Sequence, residues 1–323
     1  MLNWPSELTT VFEKFVTCEY ASLNKLGTPI TYPCTPYVGN STLDVSTGLT
    51  YPAKAERARR NPKVALSFSY VRGSGLDKPP TVLVLGHAAV RDANLQANTD
   101  RYVRATLAKT PDAYKGQPGF LLRRLTWYFV RIWVEVTPLQ ILWWPASDLS
   151  AQPQTWEAPH HVVLPKSDPE PQGAQPPAWI EPPITWRAGL KRALKLGKPV
   201  LTATNADGYP VPIRVADARL EKDDLWLTLH AGTPLQPQGA ACLTFHTHPE
   251  VFTGQENAVF VGNVSSSGNT AIFKVERQLA DWSLAGTGIK QMLAFMGKQR
   301  VLAPRLKTEA ARRGQPVPKV NLP

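Results

Sequence analysis

The 323-residue sequence has little of what marks several common classes of protein. It contains three cysteines, Cys18, Cys34 and Cys242, which are too few and too scattered for a disulfide framework or a cysteine-rich zinc site. No uncharged apolar run approaches the roughly eighteen residues that a membrane-spanning helix needs. The first residues lack the basic and apolar regions of a signal peptide. A reducing, cytoplasmic location is therefore expected.

The sequence also lacks the short motifs of several enzyme classes. It contains no Walker, Rossmann, G-x-S-x-G or H-E-x-x-H pattern, so hydrolase and nucleotide-triphosphatase functions have no support. His246 and His248 are two residues apart on a predicted strand, as metal ligands can be. No cluster of cysteines or carboxylates accompanies them, so we predict a polar strand end here and no metal site.

Basic residues outnumber acidic ones by 36 to 25, and the excess is unevenly distributed. Residues 1–150 contain 17 basic and 11 acidic side chains, and residues 290–323 contain eight and one, so the segment between them is slightly acidic. This distribution suits phosphate-bearing ligands, nucleic acid or an anionic surface. Nucleic acid is disfavoured, because the aromatic residues near the basic ones alternate inward with strand period and do not line an exposed stripe.

Proline divides the sequence into two parts. Ten prolines lie in residues 145–183, separated by residues such as glycine, serine and glutamine. Such a segment does not form a regular helix and has few donors for a sheet, so we interpret residues 146–183 as an extended linker. It separates a first domain, residues 1–145, from a second, residues 184–301. The basic tail, residues 302–323, contains four prolines and is predicted to be an irregular strap over the domains, outside any functional site.

The two domains contain the same series of predicted strands. Each opens with a strand, a tight turn containing glycine and a second strand, and further short strands follow. The matching segments are 20–30 with 200–211, 42–47 with 224–229, 64–68 with 241–245, 82–88 with 258–264, and 131–136 with 272–277. Matches in the same order and at similar spacing indicate an internal repeat.

Each repeat is predicted to be a small antiparallel β-domain whose sheet closes fully or partly into a barrel, because closure removes exposed edges. Capping residues and apolar stripes at helical spacing predict helices around the sheets. These helices span residues 6–15, 94–108, 183–196 and 289–301. The predicted fold class is mainly β with flanking helices (α+β).

The first repeat resembles the flavin-binding split-barrel family, the pyridoxamine-phosphate-oxidase-like proteins. The resemblance is carried by Gly27-Thr28-Pro29 in the opening hairpin, Ala53-Lys54-Ala55 before a short helix, and Asn61-Pro62-Lys63-Val64-Ala65-Leu66 before the next strand. It covers residues 8–145 well and 185–285 more faintly. It implies two tandem split barrels in one chain, forming a pseudo-dimer like the pairs that family members make as dimers, with flavin between the barrels.

The basic loop of the first repeat suits an anion on physical grounds alone. Ser46, Thr47 and Thr50 offer hydroxyls at a strand end, and Lys54 opens a short helix whose first N–H groups are free. Arg57 follows at i+3, on the same face as Lys54. The alternative is a solvated basic helix without a ligand. Together with the resemblance, the pattern predicts that these five residues bind the phosphate of flavin mononucleotide (FMN).

The second repeat lacks this loop. Residues 229–240 replace it and contain neither lysine nor arginine, so a phosphate there would have no counter-charge. We therefore expect one flavin site at the interface of the two barrels. The first barrel holds the phosphate, and the degenerate second barrel acts as its structural partner and covers the ring.

The resemblance implies an FMN-dependent oxidoreductase that acts on a small organic substrate, with its catalytic residues unassigned. Other cofactors stay open: a deazaflavin of the F420 type, FAD, or haem, for which His87 is the candidate ligand. The alternative from another functional class is a flavin-binding module without catalytic activity. The aromatic run from Trp127 to Trp144 is expected to fill a barrel wall, with one ring near the flavin or the substrate. Further association into homo-oligomers stays open.

Overall fold

The computed structural model describes residues 3–174, 185–283 and 288–322, and two antiparallel sheets dominate it. The strands of the first sheet are β1 (Cys18–Leu23), β2 (Pro29–Cys34), β3 (Tyr37–Val38), β4 (Leu43–Gly48), β5 (Lys63–Phe68), β6 (Thr81–Arg91), β7 (Arg131–Trp144) and β8 (Gln154–Glu157). The strands of the second are β9 (Val200–Thr204), β10 (Pro210–Arg214), β11 (Asp217–Glu221), β12 (Asp224–Thr228), β13 (Gly239–Thr247), β14 (Glu256–Ser267) and β15 (Thr270–Ser283).

The two sheets have the same topology. The strand order is β2-β1-β5-β6-β7-β4-β3 in the first and β10-β9-β13-β14-β15-β12-β11 in the second, while β8 pairs with β7 beside the first. Every matching segment predicted from the sequence therefore occupies the same place in both sheets. Each sheet curls into a half-barrel, and the predicted fold class, two tandem split barrels with flanking helices, is confirmed.

A glycine marks the same irregularity in both sheets. The register between β6 and β7 shifts at Gly86, and the register between β14 and β15 shifts at Gly262. A Cβ atom at either position would overlap the backbone of the neighbouring strand, at Thr137 or at Lys274. Glycine thus permits the close approach at a bulge, which bends a long strand so that the sheet can curl.

The two half-barrels pack against each other through β1, β2 and β5 of the first sheet and β9, β10 and β13 of the second. All residues of β1 are buried, because one face of this strand contacts the interior of its own barrel and the other contacts the second barrel. Ala21 and Ala65 pack with Val211 and Ile213, and the Thr31 and Thr202 hydroxyls are 2.6 Å apart. The intrachain pair is therefore held by apolar and polar contacts.

A buried charged cluster lies in this interface. Glu19 Oε1 accepts hydrogen bonds from Arg214 Nη2 at 2.5 Å, from Ser69 Oγ at 2.9 Å and from His246 Nε2 at 2.8 Å. Burial opposes ionisation of Glu19, but the positive charge of Arg214 and the hydrogen bonds outweigh it and lower the pKa of Glu19 to about 2. Burial lowers the pKa of His246. Glu19 is thus an ionised carboxylate beside a neutral imidazole.

Helices close the barrels and cover their edges. They are α1 (Thr9–Lys14), α2 (Ala53–Arg60), α3 (Leu95–Lys109), α4 (Gly119–Leu122), α5 (Thr126–Phe129), α6 (Trp186–Ala193) and α7 (Gly288–Arg312). Phe12 of α1 is buried in the core of the first barrel, and Leu190 of α6 in the core of the second. The predicted helices 6–15, 94–108 and 183–196 correspond to α1, α3 and α6, although residues 183 and 184 lie outside the described residues. No helix in the described part of the chain is long and apolar enough to span a membrane.

The linker contacts the first barrel along part of its length. Asp168 Oδ2 accepts hydrogen bonds from the backbone N–H groups of Asp92 and Ala93, both at 2.8 Å. Ser167 Oγ accepts another from Val90 N at 3.0 Å. The linker also contains strand β8, which was not predicted. Residues 175–184, which include the end of the linker, lie outside the described residues.

The prediction of an irregular tail from residue 302 is wrong as far as Arg312, because α7 continues through Pro304. A proline inside a helix costs about 3 kcal/mol. Leu306 and Ala310 lie one turn apart and pack into the core of the first barrel, and the fully buried Glu309 pairs with the arginines that follow it. These contacts offset the proline. Composition alone does not reveal them.

Candidate functional site

A cavity of about 1740 Å³ lies between the two barrels. One wall is the end of β4 with the start of α2, a second is the α4–α5 segment with the start of β7, and a third comes from the second barrel, residues 252–257 and 277–282. Pockets for a single small ligand usually measure about 300–1,000 Å³. The cavity therefore has room for more than one small molecule.

Lys54 and Arg57 line this cavity from α2, one helical turn apart. Lys54 Nζ is 5.0 Å from the ring centre of Tyr32, and Arg57 Cζ is 5.7 Å from the same ring. Arg57 Nε donates a hydrogen bond to Ser22 Oγ at 2.9 Å, whereas its Nη2 is buried without a partner among the described residues. The spacing of three residues brings both cations to one ring.

The charges of these two side chains are not balanced by a carboxylate in the part of the chain that the structure describes. Two acidic residues of the cavity wall are engaged elsewhere: Glu56 pairs with Arg313 at 2.9 Å, and Asp281 pairs with an arginine of α6. Burial lowers the pKa of Lys54 and of Arg57, because a charge removed from water is disfavoured. Two desolvated positive charges at one place form a site for an anion.

The three predicted hydroxyl residues lie at different depths. Ser46 and Thr47 of β4 line the cavity. Thr47 Oγ1 donates a hydrogen bond to the carbonyl of Tyr51 at 2.8 Å and so fixes the turn between β4 and α2. Thr50 lies behind the cavity wall: its hydroxyl is buried without a partner among the described residues, and its carbonyl accepts a hydrogen bond from Arg305 Nε at 2.6 Å.

The second barrel supplies aromatic and basic side chains to the cavity. Trp282 of β15 makes edge contacts with Tyr51 and Trp127 of the first barrel, at centroid distances of 5.8 and 6.3 Å. Arg277 of the same strand also lines the cavity. The loop at 229–240 has no cation, but β15 contributes one. Sequence reasoning missed Arg277 because it treated this segment only as a strand match.

The C-terminal helix contributes as well. Phe295 and Arg305 of α7 line the cavity, and Phe295 lies 5.6 Å from the ring of Trp127. The tail was predicted to lie outside any functional site, whereas Arg305 lines this candidate cavity. This residue stood in a segment that had been interpreted as irregular, so its position on a helix face was not considered.

Arg131, the first residue of β7, lines the cavity among tyrosines. Its Cζ is 4.2 Å from the ring centre of Tyr102 and 4.9 Å from that of Tyr128. Nη2 donates a hydrogen bond to the Tyr102 hydroxyl at 2.9 Å, and Nε is buried without a partner among the described residues. In the sequence, Arg131 lies close to Trp127 and Tyr128. These two rings had been assigned to packing, so the cluster was not predicted.

The histidines considered as ligands lie away from this cavity. His246 belongs to the charged cluster of the interface, and His87 of β6 is not among the residues of the cavity wall. His248 Nδ1 is 2.8 Å from the carbonyl of Pro249. Within the ranges that the structure describes, no group of three or more histidines, cysteines and carboxylates could hold a metal ion.

No family model matches the sequence, and no curated protein matches it. Solved structures similar to this chain include a Clostridium acetobutylicum protein of the pyridoxinephosphate oxidase family related to general stress protein 26, an F420 reductase, and a FAD-binding protein from Mesorhizobium loti. Their sequence identities are 13%, 18% and 18%, and their TM-scores are 0.32, 0.32 and 0.30. They cover 47%, 43% and 44% of this chain and 92%, 98% and 94% of their own.

The chain is a tandem split barrel. Each comparison spans somewhat less than half of the chain, which is about the length of one barrel.

Proposed function

We propose that the cavity binds a flavin, FMN first among the candidates, and that the protein is a flavin-dependent oxidoreductase acting on a small organic substrate. Lys54 and Arg57 bind the phosphate, and Ser46 lies beside it as a hydroxyl donor. Thr47 fixes the turn between β4 and α2, because its hydroxyl donates to the carbonyl of Tyr51. The second barrel covers the ring from the opposite side. One chain thus provides one such site.

The observation that carries this proposal is the unbalanced charge on α2. Lys54 and Arg57 are desolvated, share one aromatic ring and have no carboxylate partner among the described residues. Arg57 Nη2 has a buried N–H group without an acceptor, which is unfavourable by about 1–3 kcal/mol unless a ligand accepts it. A phosphate dianion supplies both the negative charge and the acceptor oxygens. The residues present therefore fit this part of the cofactor.

An aromatic surface of the cavity suits a planar ring. Tyr51, Trp127 and Trp282 form an aromatic surface where the two barrels meet. When bound, a flavin supplies the electron transfer. The contribution of the chain is to fix the phosphate, orient the ring against this surface and keep water away from it.

Deazaflavin and FAD are the nearest alternatives, because both also carry phosphate groups. The names of two similar structures, an F420 reductase and a FAD-binding protein, agree with either. Haem is less well supported: within the described residues no histidine lines the cavity, and His87 lies elsewhere.

A ligand titration tests the proposal. The purified protein is examined by absorption spectroscopy and then titrated separately with FMN, FAD, a deazaflavin and haem, with tryptophan fluorescence as the readout. We expect saturable binding of a flavin or deazaflavin. Binding of haem alone, or of none of the four, would overturn the proposal.

A second measurement separates an enzyme from a binding module. The flavin-loaded protein is mixed with NADH or NADPH, and reduction of the flavin is followed by its absorbance. The reduced protein is then mixed with small organic acceptors such as quinones and nitroarenes. Reoxidation faster than that of free reduced flavin supports an oxidoreductase, and equal rates favour a non-catalytic module.

A further inference from the structure

We propose that Arg131 and the tyrosines around it form a second anion site in the cavity, which binds the carboxylate of a small aromatic substrate. This inference rests on the proposed function, because it assigns the place of the substrate beside the flavin. It goes beyond that function by naming the chemical class of the substrate.

The first argument is charge. No carboxylate among the described residues forms an ion pair with Arg131. Asp44 and Glu135, farther along β4 and β7, pair with Arg101 at 2.5 and 3.5 Å. Burial raises the pKa of Tyr128, Tyr37 and Tyr114 and keeps these phenols protonated, so they do not neutralise the guanidinium. Arg131 is therefore a cation in an aromatic surrounding without a protein counter-ion.

The second argument is hydrogen bonding. Of the guanidinium nitrogens, Nη2 donates to the Tyr102 hydroxyl at 2.9 Å. Nε has no acceptor among the described residues, and no hydrogen bond from Nη1 to a described residue is found. Arg131 is only partly buried and lines the cavity, so the guanidinium can donate to a ligand there. A planar guanidinium with unused N–H groups matches the two oxygens of a carboxylate.

The third argument is that Arg131 contacts other rings than the cations of the proposed phosphate site, although its charge is near enough to help lower the pKa of Lys54, mainly a result of burial. Lys54 and Arg57 meet at the ring of Tyr32, whereas Arg131 lies at the rings of Tyr102 and Tyr128. Two clustered cations balance a dianion, and one cation balances a monoanion. The cavity volume leaves room for a second molecule beside a cofactor.

The walls near Arg131 indicate the rest of the substrate. Leu122, Leu125, Trp127 and Phe129 line the same side of the cavity as the tyrosines. This surface is apolar and rich in rings, so it favours a flat hydrophobic body next to the charged group. An aromatic carboxylic acid combines both features.

Benzoate and 2-naphthoate are suitable probes, each compared with its neutral amide, benzamide or 2-naphthamide. Binding is measured by calorimetry on the protein without cofactor and on the FMN-loaded protein, for the wild type and for Arg131→Gln, Arg131→Lys and the exposed control Arg219→Gln. We expect the wild type and the control to bind each acid at least tenfold more tightly than its amide. Arg131→Gln should lose this preference, and Arg131→Lys should keep part of it. FMN affinity should fall less in each of these variants than in Lys54→Ala.

The outcomes distinguish this inference from the proposed function. Equal affinity of the wild type for acid and amide, or failure to bind either, overturns the inference even if FMN binds. A loss of FMN affinity in Arg131→Gln as large as that in Lys54→Ala also overturns it, because Arg131 would then belong to the phosphate site. Charge-selective binding of the acids without binding of any flavin supports the anion site and overturns the proposed function. If circular dichroism shows that Arg131→Gln does not fold, Arg131→Lys and Tyr102→Phe replace it in the test. Both substitutions should reduce the preference for the acid over the amide. An unchanged preference in both variants contradicts the inference.

Discussion

The two half-barrels share a strand order but differ in what they present to the cavity between them. In the first, the connection from β4 to β5 forms a turn and helix α2, which carries Lys54 and Arg57. In the second, the connection from β12 to β13 has no helix and no cation. The second barrel instead contributes the aromatic Trp282 and, alone among the cations of its described residues, Arg277 from β15.

This difference separates the parts of a repeat that its fold requires from the part that the proposed flavin site uses. The strands, their order and the bulge glycines Gly86 and Gly262 occur in both copies, because they determine how each sheet curls. The basic loop occurs in one copy, so the fold of a repeat does not require it. The four expectations that follow test this division, first at the contact between the barrels and then at the ligand site.

The largest effect is expected from Glu19→Gln, which alters the buried cluster joining the barrels. The substitution leaves Arg214 and His246 without the carboxylate that now contacts both, and removing one partner of a buried ion pair costs about 3–5 kcal/mol. Urea denaturation measures the loss. Ser69→Ala removes the hydrogen bond to the same carboxylate and the one that Ser69 Oγ accepts from Arg214 Nε, but no charge, and should cost less, about 1–3 kcal/mol. Equal losses in the two variants would show that the charge of Glu19 does not hold the barrels together.

Acidification should weaken the same contact. The pKa of Glu19 is lowered from 4.5 to about 2 in the folded chain, so its stabilising contribution is complete above pH 4.5 and is lost as the pH falls toward 2. The shift corresponds to about 3 kcal/mol of unfolding free energy. His246 acts in the same direction from higher pH: its pKa is lowered, so below about pH 6.5 the unfolded chain takes up a proton that the folded chain does not.

Urea denaturation between pH 7 and pH 3 measures this dependence. Glu19→Gln should show a shallower loss of stability than the wild type below about pH 5, because the titrating carboxylate is absent. Parallel curves for the two proteins would contradict the assignment.

An intermediate effect is expected at the ligand site of the first barrel. Lys54→Ala removes a charge-assisted contact to the phosphate and should weaken FMN binding by about 1.5–3 kcal/mol, or roughly ten- to a hundredfold. Fluorescence quenching during flavin titration measures the affinity. Two controls lie in the second repeat: Lys195→Ala removes a charge away from the cavity, and Gln238→Ala alters the connection that lacks cations. Equal dissociation constants for all four proteins would remove the phosphate role of Lys54.

The smallest effect is expected from Thr202→Val in the interface. The hydroxyls of Thr31 and Thr202 are 2.6 Å apart and buried, and the loss of one such hydrogen bond costs about 0.5–1.5 kcal/mol. Thr228→Val, at an exposed position of β12, should change stability by less than about 0.5 kcal/mol. Thermal unfolding compares the two. A larger loss in Thr228→Val would contradict the assignment of Thr31 and Thr202 to a stabilising contact.

Local pattern was sufficient to predict the strands of each repeat, because alternation and turn residues act over a few positions. It also placed Lys54 and Arg57 on one helix face. It could not predict the cluster of Glu19 and His246, which joins residues more than 200 positions apart. The length of α7 was missed because the packing of Leu306 outweighs the local rule for Pro304.

The return of α7 to the first barrel bears on how the site depends on protein concentration. The chain leaves the first barrel after β7 and β8, builds the second, and then packs Leu306 and Ala310 into the core of the first. The second barrel is therefore tethered at both of its ends, and the effective concentration of one barrel at the other is fixed by the chain itself. A site formed between two separate subunits is lost on dilution, whereas the cavity of this chain keeps both of its walls at any concentration.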